Sequence, residues 1–142
     1  MIRPLFLALC LSSTAALATV ALAQEGSAAV VDRFYDALRA ADAAALDDVL
    51  ADDAVIRLAD LGFDMSAGEF VESMSEWDAV ASTMTMRVKP DPERADTGET
   101  VVRIVCYEFP SNQSLTRETS TVVDGEITAN MQEELAESCE GF

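Results

Sequence analysis

The sequence predicts an α+β domain with three N-terminal helices packed on a curved, mainly antiparallel sheet. Two observations predict it. Apolar residues recur at helical spacing as far as Trp77, then at every second position from Met84 onward. The second half is also punctuated by turn signals at Pro90–Gly98, Pro110–Gln113 and Asp124-Gly125. Successive strands joined by short turns form a meander. Helices gathered before it must cover one of its faces.

Residues 27–41 read as the first helix, with Ser27 as N-cap and Val30, Val31, Phe34, Leu38 and Ala41 on one face. Asp42 caps a second, short helix over 43–50 that buries Leu46, Val49 and Leu50. Asp52 and Asp53 close it, and 54–59 read as a strand. Residues 61–65 read as a loop around Gly62. Ser66 and Glu69 then have the spacing of a capping box, opening a third helix to about Trp77 with Phe70, Val71, Met74 and Trp77 as its stripe. Strands follow over 83–89, 100–109 and 115–123. Asp124-Gly125 fits a type I′ hairpin turn, and the last strand carries Ile127, Ala129 and Met131 in alternation before an acidic tail over 133–142.

Composition excludes several functions. The chain has 142 residues, 9 Lys plus Arg against 26 Asp plus Glu, and a formal charge of -17. Nucleic-acid binding needs a basic patch to neutralise phosphate, so no nucleic-acid partner is expected. With no histidine, His-based triads, His general bases and His zinc ligands are ruled out. The acid clusters at Asp47-Asp48, Asp52-Asp53 and Asp91–Asp96 lack the alternating oxygen ligands of a calcium loop, so no metal site and no cofactor are expected.

Residues 1–23 read as a secretory signal peptide. Arg3 is the positive end, Leu5–Leu11 and Ala15–Leu22 are apolar, and Ala21-Leu22-Ala23 is a small-x-small cleavage site. An uncleaved anchor, against which Ser12, Ser13 and Thr14 interrupt the apolar run, and a lipid-attachment cysteine at Cys10, against which stands bulky Leu9, are the alternatives. The expectation is a periplasmic or secreted protein starting at Gln24, one domain over 24–142, with no stable membrane insertion after cleavage. Cys106 and Cys139 remain in the mature chain. In an exported protein they would be bridged; in a cytosolic one they would be two buried thiols.

The run from Ala29 to Asp42 (AVVDRFYDALRAAD), the passage Leu50-Ala51-Asp52-Asp53-Ala54 and the hairpin Val122–Ile127 together resemble the nuclear-transport-factor-2-like superfamily. SnoaL-like polyketide cyclases and ketosteroid isomerases share its cone-shaped fold. The resemblance implies a cavity between helices and sheet, and a homodimer paired through the sheet. It also implies that Cys106 and Cys139 form a disulfide, because the meander brings the end of the last strand one strand away from Cys106.

The isomerase roles transfer poorly. Phe34 stands where the first-helix tyrosine would be, and neighbouring Tyr35 should point elsewhere, one helical step round. Leu58 stands where the general-base aspartate would be, with Asp60 two residues on. Glu118 falls near the position of the second acid. Asp60 and Glu118 are thus the catalytic candidates. Phe34, Leu58, Phe63, Phe70, Met74, Trp77 and Tyr107 are the candidate pocket wall. Arg57 reads as a partner for Asp52 or Asp53, and Glu118 alternatively as an exposed partner of Arg103 or Arg117. The first functional reading is a non-catalytic exported domain holding a small apolar or amphipathic ligand. A carboxylate-based isomerase or cyclase and a protein-interaction module are the alternatives.

Overall fold

A computed structural model describes residues 25–142; the signal-peptide reading and Cys10 lie outside the described residues. Helix α1 (Ser27–Ala40) buries Val30, Val31, Phe34, Tyr35, Ala37 and Leu38. Its N-cap is Gly26, not Ser27, whose hydroxyl instead donates to the Gly98 carbonyl at 2.7 Å. Ala41 ends the helix in the left-handed region, and the Asp42 carboxylate accepts from the Ala45 amide to start α2 (Ala43–Asp47).

Strand β1 (Leu50–Leu58) begins earlier than the local pattern predicts. The reason is tertiary. Leu50 pairs with Ile127 of β6 (Glu126–Ala136), and the Ile127 amide donates to the Val49 carbonyl at 2.8 Å. Asp52 and Asp53 sit where the register shifts, exposed, which is why they read as a turn. A tight helical turn over Ala59–Leu61 and Gly62 at φ +60 reverse the chain into β2 (Phe63–Ser66), a strand in the segment expected to be a loop. Its four residues are too few to show alternation.

The Ser66–Glu69 capping box forms as its spacing predicts and opens α3 (Ala67–Glu72). The helix breaks at Ser73, whose hydroxyl donates to the Phe70 carbonyl at 2.6 Å, and resumes as α4 (Met74–Ala81). The remaining strands are β3 (Thr85–Pro90), β4 (Thr100–Glu108) and β5 (Gln113–Val123). Asp124 and Gly125 turn β5 into β6 with both φ values positive, as a type I′ turn requires.

The six strands form one mixed sheet in the order β2-β1-β6-β5-β4-β3, in which β1 and β6 run parallel and the other pairs antiparallel. The helices cover one face. Val101, Val105 and Tyr107 of β4 and Ile56 of β1 meet Phe34, Leu46 and Phe70 there, and Phe34 stacks on Phe70 at 6.1 Å. The result is the α+β architecture expected from the sequence, with four α-helices among the described residues where three are predicted.

The opposite face carries the tail. Cys106, Leu115 and Ala136 lie in one row across β4, β5 and β6. From Ala136 the chain folds back over that row, and Cys139 bonds to Cys106 with Cα atoms 5.7 Å apart. The Gln113 side-chain Oε1 accepts from the Cys139 amide at 3.0 Å. The bridge closes a sequence separation of 33 residues, worth about 3–4 kcal/mol by chain entropy. In denatured, unreduced full-length protein, thiol titration should find no more than the single thiol of Cys10; three reactive thiols would refute the bridge. Cys139→Ser should lower unfolding stability by about 2–4 kcal/mol.

Candidate functional site

Between α1, α3, α4 and the helix-facing side of the sheet lies a cavity of about 410 Å³. Leu38, Leu58, Met65, Phe70, Met74, Trp77 and Phe109 make its apolar wall, and Ser73, Tyr107, Ser114, Thr116 and Gln132 its polar positions. Leu58, Met65, Trp77, Phe109 and Gln132 are only half-buried, so the cavity communicates with solvent. Trp77 is held edgewise by its own indole N–H, which donates to the Leu38 carbonyl at 2.8 Å and ties α4 to the end of α1. Tyr107 and Phe109 share a strand face and stack at 6.2 Å.

Of the seven residues expected in the wall, Leu58, Phe70, Met74, Trp77 and Tyr107 line it. Phe34 does not. It is fully buried in the core, edge-on to Tyr35 at 5.4 Å. Phe63 does not either: on short edge strand β2 it stands 52% exposed. The polar wall residues were not legible as such, because Ser114, Thr116 and Gln132 look like any outward position of a Thr-rich strand. Their side is decided by pairing with β4 and β1.

Behind the polar wall sits Glu118. It is 0% exposed, against the alternative of an exposed position. Tyr107 Oη donates to its Oε1 at 2.6 Å, Thr116 Oγ1 donates to the same oxygen at 3.1 Å, and Tyr35 Oη donates to Oε2 at 3.1 Å. Tyr35 therefore points inward, contrary to the one-step rotation argument. Helix α1 buries a stripe wide enough to take both Phe34 and Tyr35. Arg103, the register partner of Glu118, turns to Asp96 at 2.9 Å, and Arg117 pairs with Asp91 and Glu93, so neither cation neutralises Glu118.

Burial raises the Glu118 pKa, and the three hydroxyls oppose that rise without cancelling it. Both phenols are held well above the usual tyrosine value, first by burial and then by the Glu118 charge, so they remain proton donors. Chemically this is a carboxyl with every oxygen engaged, one layer behind an apolar cavity, and oriented phenols between.

The other candidates lie elsewhere. Asp60 is exposed, and its carboxylate accepts from the Glu134 amide, which clips the turn after β1 to β6. Arg57 forks onto Asp64 across the β1–β2 pair at 2.8 and 2.7 Å, not onto Asp52 or Asp53.

Glu118 makes stability depend on pH in a definite direction. Its folded pKa lies above the unfolded one, so its contribution is complete below the ordinary glutamate range and is lost as pH rises through the folded value. Glu118→Gln removes that titration. Relative to the parent, the variant should therefore gain stability as pH rises from the ordinary glutamate range upward. Urea midpoints across that range measure it, and parallel pH profiles would refute it.

No protein-family model and no curated protein matches the sequence. Solved structures do. A candidate ketosteroid isomerase from Kribbella flavida superposes with a TM-score of 0.64 at 14% identity, over 76% of this chain and 76% of that one. IdmH from Streptomyces antibioticus, a candidate polyketide cyclase, gives 0.64 at 20% identity over 78% of this chain and 93% of its own. An epoxide hydrolase of the LEH-like type from M. tuberculosis gives 0.54 at 21% identity over 75% and 80%. Identities this low report shared architecture and not shared chemistry. The helix-covered mixed sheet, its strand order and the cavity beneath the helices make this chain a protein of the nuclear-transport-factor-2-like fold.

Proposed function

We propose that the chain is an exported, non-catalytic domain that holds a small apolar or amphipathic molecule in the cavity under its helices. The observation that carries this reading is the cavity itself: about 410 Å³, open to solvent, with a wall dominated by Leu, Met, Phe and Trp side chains. That volume lies within the range of small-molecule sites, roughly 300–1,000 Å³. Further support comes from the candidate acids. Glu118 has its oxygens engaged behind the wall, and Asp60 is bonded to backbone outside it. A base that abstracts a proton must reach it within hydrogen-bonding distance. Export is supported by the Cys106–Cys139 bridge, since disulfides persist in oxidising compartments.

One observation favours a second reading, a carbonyl-directed isomerase or cyclase. Tyr107 lines the cavity and its hydroxyl is joined to a buried carboxyl. Structural neighbours that include a candidate isomerase, a candidate cyclase and an epoxide hydrolase are compatible with it. The same reading of the fold extends to self-association through the outer sheet face, where Thr119, Thr121, Ala129 and Met131 are half-buried; light scattering at micromolar concentration tests that, and a monomer at every concentration would end it.

Nile red, a neutral apolar dye, should bind saturably and quench Trp77, the single tryptophan of the chain. Leu58→Trp puts an indole into the cavity and should weaken dye binding about tenfold or more. Unchanged binding in that variant would overturn the proposed site. Protein recovered from the exporting cell should have an intact mass beginning at Gln24; a mass retaining residues 1–23 would overturn the export reading.

A further inference from the structure

The polar wall of the cavity has spent its protons. Ser73 Oγ donates to the Phe70 carbonyl at 2.6 Å, and the Trp77 indole N–H to the Leu38 carbonyl at 2.8 Å. Ser114 Oγ donates to the Glu134 carboxylate at 3.3 Å. Tyr107 Oη and Thr116 Oγ1 both donate to Glu118 Oε1. A hydroxyl carries one proton and two lone pairs, so a hydroxyl that has committed its proton can only accept. Gln132 is the exception in part: one amide N–H goes to Asn130 Oδ1 at 3.1 Å and the other remains. Among the described residues no Lys or Arg stands in the wall. What the cavity offers a guest is therefore apolar surface interrupted by lone pairs.

We propose that the cavity selects neutral, largely apolar ligands that carry a hydroxyl or N–H donor over the same ligands with that donor capped, and that Tyr107 and Thr116 are the accepting groups. The inference rests on the ligand-binding reading above and deepens it. Glu118 is the positioning residue. It touches no guest, but by collecting three hydroxyl protons on two carboxylate oxygens it decides which way Tyr107 and Thr116 face. A ligand carbonyl meets few donors there. A ligand carboxylate meets no cation, inside a chain of net charge -17. Leaving a ligand donor unpaired in such a cavity would cost affinity, whereas a matched donor gains it; the preference is thus set by polarity and not by size.

The test uses three probes of one ring system at mildly alkaline pH, by calorimetric titration of the full domain: naphthalene, β-naphthol and the methyl ether of β-naphthol. The expected result is that naphthol binds about fivefold or more tightly than its ether, the size of one net hydrogen bond. Thr116→Val or Tyr107→Phe should then remove a wall acceptor and weaken naphthol by about three- to tenfold, with the ether within twofold of its parent value. The wild-type comparison stands even if a variant fails to fold. If the ether and naphthol bind equally while naphthalene also binds, the donor preference is wrong and the cavity reading survives. If the naphthol preference persists undiminished in both variants, Tyr107 and Thr116 are not the acceptors. If none of the three binds, the ligand-binding reading falls, and this inference with it.

Discussion

A carboxyl taken wholly out of water governs the centre of this protein. Among the described residues no cation pairs with Glu118: Arg103, its register partner across the β4–β5 ladder, bonds to Asp96 instead. A buried carboxyl without partners is costly, so its oxygens must be met by donors. The three that meet them come from separate places: Tyr35 on α1, Tyr107 on β4 and Thr116 on the same strand as the acid. The first of these bonds joins residues 83 positions apart, so the network can form only once helix and sheet are docked. It fixes where α1 lies on the sheet and leaves no hydroxyl at the centre free to turn.

The cavity is a consequence of that fixed geometry. With α1 held over the middle of the sheet, α3 and α4 pack at one side, broken at Ser73 so that Phe70 and Met74 both turn inward. The Trp77–Leu38 bond sets the spacing between α4 and α1. The space left is lined by side chains whose polar hydrogens, one Gln132 N–H apart, already have acceptors. An apolar cavity of this kind can stay open because filling it is not needed to satisfy any buried group.

On the other sheet face, stability comes from pairing across strands and segments. Arg117 joins Asp91 and Glu93, and Arg94 approaches Glu133; with Arg103, which reaches Asp96 from the helix-facing side, three of the nine basic residues hold the 91–98 segment in place. The disulfide holds the tail, and the Phe142 ring lies against the Arg87 guanidinium at 4.6 Å. A strongly acidic chain has few cations to distribute, and this one spends several on structure. The half-exposed Arg57–Asp64 fork, by contrast, contributes little energy and serves to orient the β1–β2 edge.

The sequence by itself determined what depends on short-range chemistry. The apolar period marked α1 and the long strands, the Ser66–Glu69 spacing marked a helix start, and Asp124-Gly125 marked the last hairpin. The inward turn of Phe70, Met74 and Trp77 was legible for the same reason: an apolar stripe on a helix face has to go inward. Only the tertiary structure decided the rest. Residues 50–53 became strand because β6 lies alongside, and 63–66 became strand because β1 does. Glu118 looked like a surface acid because its local pattern, flanked by Arg117 and Thr119, is the pattern of one. Its burial follows from where Tyr35 and Tyr107 arrive, and a side chain 83 residues away leaves no trace in the local sequence.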